Sequence, residues 1–188
     1  MDTHKMLILS APSGSGKTTI IQYLLKKGMP LEFSISATTR APRGTEQNGK
    51  EYYFYTVEEF KLKIQQGDFV EFEKVYAGTF YGTLKSECER IWKNGNVIVF
   101  DVDVAGGMRL KKMFGEQALS LFIQAPSIEV LRSRLESRKT DSQEEIEKRI
   151  AKAAYEMQFA HQFDTIVVND DLQRACNEVE QLLQDFLK

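Results

Sequence analysis

The chain is poor in metal-binding and redox residues. It has two cysteines, Cys88 and Cys176, with no metal-ligand spacing between them. They read as reduced intracellular thiols. The two histidines, His4 and His161, stand alone, which argues against a zinc site. No apolar run approaches the roughly 18 residues that span a bilayer. The apolar "MLILSAP" near the start is too short for a signal sequence and runs straight into a Gly-rich loop. A cytoplasmic location without a membrane partner is expected. Charge of neither sign dominates: 25 Lys and Arg against 27 Asp and Glu leave a formal net charge of −2. The global basic field that nucleic-acid binders use is missing, so no nucleic-acid partner is expected. Any anionic ligand has to be met by local positive charge. There is no internal repeat and no low-complexity linker. What is present is a 188-residue chain, 42% hydrophobic and 28% charged, in the range of one globular domain with a proper core.

Hydrophobic patterning gives the scaffold. "KMLILS" (5–10) is a short apolar strand followed by a loop, and "KTTIIQYLLKKG" (17–28) has helical spacing, with Ile20, Ile21, Leu24 and Leu25 on one face and Gly28 as its stop. "NVIVFDVD" (96–103), "ALSLFIQAP" (118–126) and "DTIVVN" (164–169) are further buried-type strands. Helical "AGGMRLKKMFG" follows the first of them and amphipathic "DLQRACNEVEQLLQDFLK" the last. Such alternation predicts an α/β fold, a parallel sheet with helices on both faces. Two stretches break the rhythm. Residues 36–83 are rich in Thr, Arg, Tyr and Phe and read as a mixed α/β insert. It contains a helix opened by the Thr56/Glu59 capping box and ended by Gly67. Residues 134–149 carry several arginines, and Ser142 and Glu145 open another helix in the same way.

The strongest chemical signal is "LSAPSGSGKTTII" (9–21). It departs from G-x-x-x-x-G-K-[ST] only in having Ala11 at the first glycine position. A strand–loop–helix of this kind aims backbone N–H groups at a phosphate. Gly14 and Gly16 allow close approach, Lys17 reaches the β- and γ-phosphates, and the Thr18 hydroxyl can hold Mg²⁺. Asp101, ending "VIVFD", brings a carboxylate beside this cradle for a Mg²⁺ water or a substrate group. Asp103 reads equally as a second such group or as a helix N-cap. In the insert, Arg40 and Arg43 can fork around a dianionic phosphate. Arg134 and Arg138, four residues apart, share a helical face and could both meet phosphates.

Taken in order, "SGSGKTT", "ATTRAPRGTEQNGKEYYF", "FVEF", "FYGT", "DVD", "RLESRKTDSQEEIEKR" and "VVNDDL" resemble guanylate kinase over nearly the whole length. The T-T-R-x-P-R-x-x-E-x-N-G-x-x-Y run is highly specific. The resemblance implies a P-loop three-layer fold: a core of 1–35, 84–133 and 150–188, a GMP-binding insert of 36–83 and a helical lid of 134–149. It implies transfer of the γ-phosphoryl group of ATP to GMP, and to dGMP, giving ADP and GDP in purine metabolism and GMP recycling, with Mg²⁺. ATP would be met by Ala11, Pro12, Ser13, Gly14, Ser15, Gly16, Lys17, Thr18 and Thr19, with Arg134, Arg138 and Asn169. The GMP phosphate would be held by Arg40, Arg43, Tyr52 and Tyr81, and its guanine read by Ser36, Glu71, Thr83 and Asp101. Lys17, Arg40, Arg138 and Arg149 are the expected catalytic residues. The chain departs from the family in having Thr83 where Ser is frequent, and in one extra residue between Glu71 and Tyr81 relative to some members. Physical chemistry agrees on Glu71: a carboxylate accepts both N1–H and the N2 amino group of guanine, whereas adenine would leave it unpaired.

Other readings are a different small-molecule kinase on this scaffold, a guanylate-kinase-like module that binds a protein and has lost catalysis, and a P-loop ATPase or GTPase switch. The complete insert argues against the first and third. The presence of Lys17, Thr18 and Asp101 argues against the second. No protein partner is identified.

Overall fold

The computed structural model of the chain describes residues 4–74, 78–137 and 141–188. In chain order the elements are β1 (Met6–Ser10), α1 (Lys17–Lys26), β2 (Leu31–Phe33), β3 (Ala37–Thr38), β4 (Tyr53–Phe54), α2 (Val57–Gln66), β5 (Phe69–Lys74), β6 (Phe80–Leu84), α3 (Lys85–Lys93), β7 (Val97–Asp101), α4 (Val104–Phe114), β8 (Ala118–Gln124), α5 (Ile128–Ser137), α6 (Gln143–Met157), β9 (Thr165–Val168) and α7 (Leu172–Leu187). A five-stranded sheet has the order β2-β7-β1-β8-β9, and β8 runs parallel to both β1 and β9. A four-stranded sheet has the order β4-β3-β6-β5. The chain divides into two compact units, Met1–Leu31 with Val99–Lys188, and Glu32–Ile98. No helix among the described residues is long and apolar enough to cross a membrane.

In the first unit, Met6, Leu7, Ile8 and Leu9 of β1 are fully buried. A strand covered on both faces reads as an unbroken apolar run, which is why its sequence does not alternate. Helix α1 buries Ile20, Ile21 and Leu24. Leu25, expected on the same face, is 38% exposed. It lies about 100° round the helix from Leu24, past the edge of the stripe. Asp103 caps α4, its Oδ1 accepting from the Gly106 N–H at 2.8 Å. Asp171 caps α7, which buries Ala175, Cys176, Val179 and Leu183. The expected lid falls on the end of α5 and the start of α6. Leu131 and Leu135 pack there with Ile146, Ile150 and Ala153, and Ser142 accepts from the Glu145 N–H.

In the second unit, α2 carries the complete Thr56/Glu59 capping box and ends at Gly67. Its Phe60 stacks on Phe69 at 4.3 Å between ring centroids and on Phe80 at 5.4 Å. This unit runs beyond the 36–83 segment at both ends, and Glu87 of α3 ties part of that extension together. The Glu87 carboxylate accepts from the Ile35 N–H at 3.1 Å, from the Tyr53 hydroxyl at 3.1 Å and from Arg90 at 2.7 Å. It is 2% exposed. Burial alone would raise its pKa, but these donors outweigh burial and hold it below the ordinary carboxylate value. A carboxyl depressed in the fold stabilises the protein above its unfolded pKa, and that contribution is lost as pH falls through the folded pKa. Glu87→Gln is therefore expected to cost roughly 2–3 kcal/mol at neutral pH. It should also flatten the loss of stability below about pH 4.5, measured by urea unfolding from pH 7 to pH 3. Equal loss for both proteins across that range would remove Glu87 from this role.

Both cysteines are buried. Burial, reinforced by the neighbouring Glu87 charge, pushes the Cys88 thiol up to about 12, and burial likewise raises Cys176. Neither has the thiolate character of a nucleophile.

Candidate active site

The loop between β1 and α1 is built around two left-handed glycines, Gly14 at φ 94° and Gly16 at φ 96°. Gly16 is the N-cap of α1 and offers no side chain to the first-turn N–H groups, and that turn holds no acidic residue. The positive end of the helix is thus left for an external anion. A cavity of about 430 Å³ opens there, lined by Ala11, Pro12, Ser13, Gly14 and Gly16 through Thr19, and by Asp101, Asp103, Arg149, Lys152 and Glu156. The Lys17 ammonium forms an ion pair with Asp101. It also lies 3.4 Å from the Val102 carbonyl, which the Ser10 hydroxyl holds at 3.0 Å. Arg149 donates to the Ser13 hydroxyl at 2.7 Å and pairs with Asp141 at 3.2 Å.

Not every expected ATP residue faces this cavity. Ser15 is fully buried. The Asn169 side chain is buried against the loop backbone, donating to the Ser15 carbonyl at 2.8 Å. The Arg134 guanidinium donates to the Asn169 carbonyl at 2.8 Å. Arg138 lies outside the described residues. Asp103 both lines the cavity and caps α4, so the two readings of it coexist. Lys152 and Glu156 escaped the sequence reading. They follow Arg149 at i+3 and i+7 on α6, a spacing that puts all of them on one helical face. Burial raises the Glu156 pKa against the opposing Lys152 charge at 3.5 Å, with Asp103 raising it further.

The residues expected at GMP gather on the small sheet of the second unit, Asp101 excepted, which belongs to the first. Arg40 forks onto Glu46 at 2.8 and 2.9 Å. Its guanidinium stands 5.1 Å from the Tyr52 ring centroid, and Tyr52 meets Tyr81 edge-on at 6.0 Å. Glu46, with Tyr81 adding to it, raises the Arg40 pKa, and Arg40 in turn holds Glu46 below its ordinary value. Glu46 also accepts from the Arg43 N–H at 2.7 Å, so one carboxylate orders both halves of the T-T-R-x-P-R segment. Nothing in the local sequence marks Glu46 as a partner of Arg40. Only the fold turns it back on Arg40, six residues earlier. Across β5 and β6, Glu71 faces Thr83, whose hydroxyl donates to Glu71 Oε1 at 2.8 Å. Gly82 makes this pairing possible. A Cβ there would meet the Glu71 carbonyl oxygen at 2.7 Å. Ser36 precedes β3 and accepts from the Tyr53 N–H through its carbonyl at 2.9 Å. Residues 75–77, which include part of the segment with the extra residue, lie outside the described residues.

The chain as a whole resembles known proteins. The family described as guanylate kinase matches residues 3–186. A guanylate kinase of Bacteroides thetaiotaomicron is 56% identical over 185 residues, covering 98% of this chain and 91% of that one. A guanylate kinase of Porphyromonas gingivalis is 52% identical over 184 residues, covering 97% and 98%. The crystal structure of guanylate kinase from Anaplasma phagocytophilum superposes with a TM-score of 0.68 at 31% identity, covering 96% of this chain and 85% of that one. The expected α/β architecture and the resemblance read from the motifs both hold, and the chain is an enzyme of the guanylate kinase family.

Proposed function

We propose that the chain transfers the γ-phosphoryl group of ATP to GMP, with the donor triphosphate on the Gly16–Lys17 end of α1 and the acceptor on the small sheet of the second unit. One observation carries the choice of acceptor. Around that sheet Arg40 gathers with Tyr52 and Tyr81, a set that suits a phosphate, and Thr83 holds Glu71, a carboxylate that suits the two donors of guanine. A bare P-loop ATPase or GTPase would leave both without a purpose.

The cavity chemistry suits Mg²⁺: the Thr18 hydroxyl and the Asp101 carboxylate are hard oxygen donors beside a triphosphate seat. Thr18 would hold the ion directly and Asp101 through water. When bound, it would neutralise part of the phosphate charge. The chain's own residues do the rest. Lys17 exchanges its Asp101 partner for the phosphate oxygens, and Arg149 brings a guanidinium to the same charge. Arg40 and Arg43 orient the acceptor phosphate. Arg138 and Arg134 are proposed to join the donor phosphates from the lid. A GMP phosphate oxygen is already anionic, so no general base is required. Transfer then rests on alignment and charge neutralisation. In-line attack needs the reacting atoms within about 3–3.5 Å, so the two substrates have to be brought together and water excluded.

The direct test supplies ATP and Mg²⁺ with GMP, dGMP, AMP, UMP or dTMP in turn and follows ADP. ADP formed with the guanine nucleotides alone is expected. Equal rates with AMP or a pyrimidine nucleotide would overturn the assignment of the acceptor.

A further inference from the structure

Asn169 follows β9, and the family resemblance puts it near the adenine of ATP. Its surroundings point elsewhere. It is 3% exposed. Its side-chain amide donates to the Ser15 carbonyl at 2.8 Å. Its own carbonyl accepts from Arg134 at 2.8 Å, and its N–H donates to the Gln124 carbonyl at 2.8 Å. A Cβ on Gly16 would drive into the same amide, so the loop passes Asn169 at a distance only glycine permits. Among the described residues, the amide oxygen is buried without a hydrogen-bond partner, as is the Ser15 hydroxyl. Packing alone would favour an apolar residue in such a place, because an unsatisfied buried acceptor is costly.

We infer that Asn169 is a positioning residue of the phosphate loop, acting on the triphosphate through the Ser15–Gly16 peptide and not through the base. The Ser15 carbonyl and the Gly16 N–H belong to one planar trans peptide and point in opposite directions. Holding the carbonyl toward Asn169 therefore turns the Gly16 N–H the other way. Gly16 itself lines the phosphate cavity. Without the Asn169 donor, that peptide can rotate, and the loop loses a fixed N–H for any phosphate chain. This inference rests on the donor-site reading above and adds a role for a residue outside the cavity.

The test separates phosphate from base. Binding of ATP and of inorganic tripolyphosphate is measured by calorimetry on the full chain, for wild type, Asn169→Ala and Asn169→Leu. The Leu variant keeps the size and removes the donor without adding a charge. Both variants are expected to weaken ATP and tripolyphosphate by the same factor, about tenfold to a hundredfold, with GMP affinity unchanged. If Asn169→Ala fails to fold, Asn169→Leu carries the comparison. Loss of ATP binding with tripolyphosphate untouched would make Asn169 a base contact and overturn the inference. So would unchanged binding of both. Lys17→Met is the control for the site itself. If tripolyphosphate binding does not depend on Lys17, the donor-site reading fails and this inference with it. If binding depends on Lys17 but is indifferent to Asn169, this inference alone fails.

Discussion

Lys17→Met is expected to lower kcat by about 10³-fold or more while leaving the fold intact. The ammonium stands in the phosphate cavity at the first helical position after Gly16, where the α1 end is free of side-chain caps. Before nucleotide binds, its charge is balanced by Asp101. Methionine keeps most of the stem's packing and removes the ammonium. The bereaved Asp101 side chain is 37% exposed, so water takes over much of its solvation and the stability cost stays small, within about 1 kcal/mol. A triphosphate still meets the helix end and Arg149, so ATP binding should fall far less than kcat. The lost interaction is the one that grows as charge develops on the transferred group. The measurement is steady-state ADP formation with GMP, alongside thermal unfolding. Near-normal turnover in a well-folded variant would sink the assignment of the cradle.

Much of the scaffold could be read in advance because it depends on local rules. β1 is an apolar run, α2 has its box and its glycine, and α1 starts where the Gly-rich loop ends. Leu25 falls outside the buried face of α1 because Ile20, Ile21 and Leu24 already fill the stripe. The compact second unit reaches α3, whose Glu87 accepts from Ile35 and Tyr53, 52 and 34 residues away. No periodicity encodes such a contact. The site divides in the same way. Lys17, Arg40 and Glu71 sit in motifs, and their chemistry follows from residue type. Ser15 and Asn169 sit in motifs too, but their side chains face protein and not the cavity. A motif gives proximity to a ligand and leaves side-chain direction open. Glu46, Lys152 and Glu156 were passed over for the opposite reason. Each looks like an ordinary surface charge until the fold aims it at Arg40 or at the phosphate cavity.

The acceptor side makes the second large prediction. Glu71→Gln should reduce kcat/KM for GMP by roughly 10²–10⁴ and leave ATP binding nearly unchanged. Glu71 lies on β5 opposite Thr83, and the Thr83 hydroxyl already fixes one of its oxygens at 2.8 Å. Each carboxylate oxygen has two acceptor positions, so a base can still be accepted alongside Thr83. Guanine offers two adjacent donors to that edge. Glutamine replaces one acceptor by an N–H pair, which then confronts a guanine donor across a short gap. At the same edge adenine offers the N1 acceptor beside a bare C2–H, and the glutamine N–H can meet N1 where a carboxylate oxygen would repel it. The variant should therefore lose GMP activity and narrow the gap to AMP at the same time. Glu71→Ala should lose GMP activity without gaining AMP, because nothing replaces the carboxylate. The two variants thus separate loss of an attractive contact from a change of code. The readout is the ratio of kcat/KM for GMP and AMP in each protein, with ATP affinity as the control. An unchanged ratio in Glu71→Gln would move base recognition to another residue, and Ser36 would then be the next to test.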